Sequence, residues 1–190
     1  MASAAEEKET APAAGAAPST EKPTSSTPLD DLTSRLPALL STASHSEIWS
    51  VSLTSPSPQR DLVLRKYLAA HKNNVSAAAD GILATLKWRR EFKPLEAVKE
   101  THDAGKFGGL GYVTLVKGEG DKERVVTWNV YGAVKDHKAT FGNLDAFLRW
   151  RVGLMEKGVQ ALKLNERSDL GDDVAMVCYF QQFHPALHLM

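Results

Sequence analysis

The chain has 190 residues, 43% of them hydrophobic, and 23 basic side chains balance 23 acidic ones to a formal net charge of zero. That size supports one domain with a real core, and the balanced charge excludes the long-range field that draws a protein onto nucleic acid or an anionic membrane. The single cysteine, Cys178, excludes an internal disulfide, and no run approaches the roughly 18 apolar residues of a spanning helix, so a cytoplasmic protein with transient, peripheral membrane contact is expected.

Residues 1–28 are mainly Ala, Pro, Ser and Thr, carry Glu6, Glu7, Glu9 and Glu21 and no apolar targeting core, and they read as a disordered tail. Leu32, Leu36, Leu39 and Leu40 predict a short helix within 29–40, which Pro37 is expected to interrupt or restart. The Ser-, Thr- and Pro-rich stretch 45–58 reads as a loop pinned to the core by Ile48, Trp49, Val51 and Leu53, with Trp49 as a packing anchor. Leu64, Tyr67, Leu68 and His71 share one face of a helix over 59–71, which Asn73 and Asn74 break. Asn74 or Ser76 caps the next helix, whose inner face is Val75, Ala78, Ala79, Ile82 and Leu86 and which Pro94 ends by disfavouring helical geometry at Lys93. The pair makes an αα-hairpin in which Ala77, Ala78 and Ala79 permit close approach, and Trp88 and Phe92 are expected to add bulk at its far end.

After Pro94 the period changes. Gly111–Val116 and Arg124–Tyr131 read as strands joined by the polar turn 117–123; in the second, Val126, Trp128 and Val130 share one face and Thr127, Asn129 and Tyr131 the other. A long helix over 143–162 carries the stripe Leu144, Phe147, Leu148, Met155, Val159 and Leu162. Helices, then strands, then a helix make a mixed α/β domain.

Arg151 falls on that apolar stripe. A guanidinium there needs a carboxylate of the protein or an anionic ligand opposite it, unless the side chain snorkels out to water. Arg149 and Lys157 are expected to face solvent. Tyr131, ending its strand, can point its phenol into a space between sheet and helix, or serve as a core tyrosine with one satisfied hydrogen bond. Gly108, Gly109 and Gly111 lack the Gly-Lys-Ser/Thr ending of a phosphate-binding loop, which argues against nucleotide binding. His184 and His188 are four apart, but Pro185 lies between them, so no metal site is expected. Cys178 has no basic neighbour to activate it, and with no nucleophile or acid/base pair in view an enzyme is not expected.

The segments 64–70 (Leu-Arg-Lys-Tyr-Leu-Ala-Ala) and 85–92 (Thr-Leu-Lys-Trp-Arg-Arg-Glu-Phe) resemble the helical lobe of CRAL-TRIO lipid-binding proteins. The segments 106–114, 126–132 and 147–158 resemble one branch of them, the fungal non-classical phosphatidylinositol transfer proteins, fifth homologues of the yeast Sec-fourteen protein. The resemblance implies an α/β CRAL-TRIO architecture with a disordered tail at 1–28, a helical lobe at 29–100, the start of the lipid-binding lobe at 101–177 and a divergent segment at 178–190. It implies a carrier that binds phosphatidylinositol and moves it between membranes, in the cytoplasm and at the endoplasmic reticulum or microsomal surface. The branch is also similar to haem carriers, and Tyr131 and Arg151 match positions that contribute to the pocket for haem b.

Beyond Val177 the family continues into a Val-His-Asp-Tyr segment bearing the axial tyrosine, whereas this chain reads Cys178-Tyr179-Phe180-Gln181-Gln182-Phe183-His184-Pro185. The axial roles are therefore not carried over, and a C-terminally truncated relative is expected. The competing expectations are a haem-binding protein of the oxidative stress response and a non-ligand interaction module made of the helical lobe.

Overall fold

The computed structural model describes residues 26–117, 123–166 and 176–180. The expected tail up to residue 25, the centre of the 117–123 turn, and His184 and His188 lie outside the described residues, and of Cys178 and Tyr179 only the backbone is described.

Helix α1 spans Pro28–Ala43 and opens on a capping box, in which Thr27 accepts from the Asp30 amide and the Asp30 side chain accepts from the Thr27 amide. Pro37 does not interrupt it. The proline is exposed, so the carbonyl it leaves without a donor can turn to water, while buried Leu32 and Leu36 and half-buried Leu39 and Leu40 hold both halves of the helix to the core.

The stretch read as a loop contains a hairpin, β1 (Glu47–Ile48) against β2 (Val51–Ser52). Its turn residues, Trp49 and Ser50, have φ of 56° and 63°. Positive φ at both central positions is what a tight hairpin turn needs, and it is normally supplied by Asn-Gly, so the sequence hid this turn. Ile48, Val51 and Leu53 are buried as expected, and Trp49 stacks on Tyr67 at a ring separation of 5.9 Å.

Helices α2 (Pro58–Ala70) and α3 (Val75–Phe92) form the expected hairpin. Asn74 caps α3 by accepting from the Ala77 amide, and Lys93 ends it in the left-handed region just before Pro94. Ala78, Ala79, Ile82 and Leu86 are buried on its inner face, and the Tyr67 hydroxyl donates to Thr85 Oγ1 at 2.8 Å across the pair. Trp88 and Phe92, expected as bulk at the far end of the pair, stack on each other there, with Trp88 37% exposed. The first core joins α1, α2, α3 and the hairpin, and Val159 and Leu164 reach back into it from the far end of the chain.

Two short helices, α4 (Pro94–Ala97) and α5 (Ala104–Phe107), lead to β3 (Gly111–Lys117), which pairs antiparallel with β4 (Glu123–Asn129) from Gly111↔Asn129 to Lys117↔Glu123. Strand β5 (Met176–Phe180) lies parallel to the other side of β4, giving the order β3-β4-β5. Between β4 and β5 come a 3-10 turn at Tyr131–Ala133, α6 (His137–Phe141) and α7 (Leu144–Ala161). A second core, Phe107, Leu110, Trp150 and Leu154, lies where α7 meets the sheet. This is the α/β architecture the sequence led us to expect.

Arg89 is 2% exposed and Glu156 fully buried. Arg89 Nε and Nη2 donate to Glu47 at 3.1 and 2.9 Å, and Nη1 and Nη2 donate to Glu156 at 2.7 and 3.1 Å. Burial alone would lower the guanidinium's pKa, but the hydrogen bonds and charges of Glu156 and Glu47 outweigh it and raise the value above that of a free arginine. We expect Arg89→Ala, which strands two carboxylates, to lower stability by about 3–5 kcal/mol in urea denaturation, while a simultaneous change of Arg89, Glu47 and Glu156 to apolar residues of similar size recovers most of the loss. A second expectation concerns Gly153, whose missing Cβ would stand 2.7 Å from the Ala97 carbonyl oxygen and 3.1 Å from its carbon. Gly153→Ala should lower the unfolding free energy by about 1–3 kcal/mol in the same assay by wedging α7 off α4.

Candidate functional site

Helix α7 is engaged on most of its circumference. Trp150 and Leu154 face the sheet, where Gly111 leaves them room; Gly153 meets the backbone of Ala97; Glu156 holds Arg89. Arg149, expected in solvent, instead donates to Glu100 and to the Phe92 carbonyl, and its guanidinium carbon lies 4.9 Å from the centre of the Phe92 ring. Its hydrogen bonds and charge hold the exposed Glu100 carboxyl below the usual carboxylate range. Lys157 is exposed, as expected.

What remains is a stripe at steps of four, three and four residues: Leu144, Leu148, Arg151 and Met155. The expected inner stripe is thus covered only in part: Val159 is buried and Phe147 and Leu162 pack against the two cores. Leu144 is 62% exposed and Leu148 38%, whereas Trp150, Leu154 and Glu156, absent from the expected stripe, are buried. The cause is that α7 packs against the sheet, α4 and α3 at once, so an apolar pattern does not by itself say which side is covered. Arg151 is half-buried within the open stripe and makes no hydrogen bond or ion pair among the described residues. Of the outcomes foreseen for it, a carboxylate of the protein does not face it within that part of the chain, which leaves an anionic ligand or a side chain reaching out to water.

Tyr131 does not end a strand. Strand β4 stops at Asn129, and Tyr131 begins the 3-10 turn, where its half-buried ring lies 6.5 Å from Phe141 and 6.5 Å from Phe147. Phe147 in turn lies 5.0 Å from Phe141 and 5.7 Å from Trp150. Phe147 precedes Arg151 by one helical turn, so the two occupy neighbouring positions on α7. The site therefore joins an aromatic cluster, an exposed aliphatic stripe and a cation without a described counter-ion, a combination that suits an anionic amphiphile.

The buried triad of Arg89, Glu47 and Glu156 was missed in the sequence. Its signal was present: Arg89 continues the Ile82, Leu86 face at helical spacing, in the way that drew attention to Arg151. Among the described residues no helix is long and apolar enough to cross a membrane.

No family model matches the chain. It is 52% identical over 130 residues to a protein of Phaeosphaeria nodorum named phosphatidylinositol transfer protein SFH5, covering 66% of this chain and 39% of that one. To the protein of the same name from Cryptococcus neoformans it is 48% identical over 143 residues, covering 72% and 48%, and to that from Aspergillus terreus 44% identical over 146 residues, covering 76% and 34%. The chain thus spans less than half the length of these relatives, which are named as transfer proteins and not as enzymes. Among solved structures it is similar to the crystal structure of Sfh5, with a TM-score of 0.63 and 30% identity over 73% of this chain and 52% of the other. Sequence and fold agree that, over the part matched, the chain belongs to the family of fungal SFH5 phosphatidylinositol transfer proteins.

Proposed function

We propose that the chain takes part in binding phosphatidylinositol and carrying it between membranes, from the cytoplasm and with transient contact at the endoplasmic reticulum. The observation that carries this reading is Arg151, half-buried without a described partner in the open apolar stripe of α7. The names of the relatives support the lipid class. In this reading Leu144, Leu148 and Met155 shield acyl chain from water, and the Arg151 fork takes the phosphodiester. No bond is made or broken; transfer follows mass action between donor and acceptor membranes.

Extraction of labelled phosphatidylinositol from vesicles tests the proposal. A charge-assisted hydrogen bond contributes about 1.5–3 kcal/mol, so Arg151→Gln should weaken binding by about ten- to a hundredfold, with Arg151→Lys falling between. Failure of the unaltered chain to extract lipid, or equal extraction by Arg151→Gln, sinks it.

The same cluster favours a second reading, haem binding. The rings of Tyr131, Phe141 and Phe147 pack edge-on or tilted against one another and offer an aromatic edge to a macrocycle, and Arg151 suits a propionate. When bound, haem would supply redox-active iron, while Tyr131 and Arg151 would orient it and neutralise its carboxylates. The purified chain should then show a visible haem band that disappears in the Tyr131→Phe, Arg151→Ala double variant; colourless protein after haem loading excludes this reading.

A further inference from the structure

We propose that a second site, at the seam between the β1–β2 hairpin and the C-terminal end of α7, binds a compact organic cation of the quaternary ammonium type. A cavity of about 260 Å³ opens to solvent there. Trp49, Val159 and Leu164 form its apolar wall, and Gln160, Asn165 and Glu166 its polar rim. It lies apart from the Arg151 stripe and does not depend on the lipid reading.

Among the described residues that line the cavity, Glu166 carries the only charge, with exposed Lys163 nearby in the chain. Glu166 is exposed and makes no hydrogen bond or ion pair through its side chain among the described residues. Among the described residues no basic side chain lines the cavity. Helix α7 ends beside it at Ala161 with no basic residue in its last turn, so the partial negative charge of the final carbonyls is not offset there by the helix itself.

The wall supplies what an organic cation adds to charge. Tryptophan is the strongest aromatic partner for an ammonium, and the indole of Trp49 both stacks on Tyr67 and lines the cavity. The turn holds this bulky residue at φ 56°, a region it rarely adopts, where Asn would serve the backbone better. A hard metal ion would find a single carboxylate and amide oxygens, too few to replace its water, whereas an alkylated ammonium sheds weakly held water and gains the indole. The volume suits a head group of a few heavy atoms, below the range of drug-sized pockets.

The probe is choline, titrated into the full chain by calorimetry, with 3,3-dimethyl-1-butanol as its uncharged isostere. Choline should bind saturably and the isostere should not. Glu166→Gln should weaken choline by about fivefold, the scale of one exposed charge pair, without moving the thermal midpoint of the chain. Trp49→Phe should weaken it further, and Arg151→Gln should leave it unchanged. Equal binding of the isostere would reduce the site to an apolar hollow. Absence of saturation, or choline binding indifferent to both Glu166→Gln and Trp49→Phe, would overturn the proposal, whatever the outcome of the lipid assay.

Discussion

A guanidinium shut away from water holds the two halves of this molecule in register. Arg89 comes from the helical lobe, Glu47 from the hairpin beneath it and Glu156 from the helix that faces the sheet, and three elements must meet for the cation to be neutralised. A buried ion pair need not be more stabilising than a well-packed apolar cluster, but leaving one member unpaired is expensive. The geometry therefore disfavours alternatives to a single docking of α7. Arg151 precedes Glu156 by five residues, about 140° around the helix. With Glu156 fixed on Arg89, Arg151 is turned away from the lobe junction. The cation in the lobe thus decides where the cation of the candidate site can point.

Other contacts reinforce that setting. Arg149 fastens the first half of α7 to Glu100 and to the end of α3, and Gly153 lets its middle lie directly on α4. The glycine at 111 does the same on the sheet side, admitting Trp150 and Leu154 against the strand. A helix held on so many sides has little freedom to roll. Its one open stripe is thereby pre-organised, which reduces the ordering a ligand must impose when it binds.

Much of the fold was legible where local chemistry and burial agree. The αα-hairpin, its Asn74 cap, its stop before Pro94 and the β3–β4 pairing all follow from spacing and turn residues. The failures share a cause, namely that tertiary contact overrode local preference. Pro37 is tolerated because it faces water, Trp49 and Ser50 turn a hairpin without glycine, and Leu144 and Leu148 of the α7 stripe stay open because the helix turns Trp150 and Leu154 to the sheet. Of the candidate site, Arg151 drew attention because a charge on an oily stripe must be accounted for, and the structure places it half-buried on the open side of α7. Tyr131 was assigned to a strand it does not belong to, because β-rich composition continues past Asn129 while the backbone coils into a 3-10 turn. Arg89 obeyed the same principle as Arg151 and was hidden only by the Trp-Arg-Arg run around it.

The parallel pairing of β4 with β5 sets an order of assembly. Antiparallel neighbours can close through a short turn, but a parallel pair waits until the chain has travelled the length of the sheet and back, here through α6 and α7. On a ribosome the helical lobe emerges well before that circuit is complete, with Arg89 able to reach Glu47 alone. The open side of its fork is then free to take Glu156, so charge can dock α7 before β5 pairs with β4.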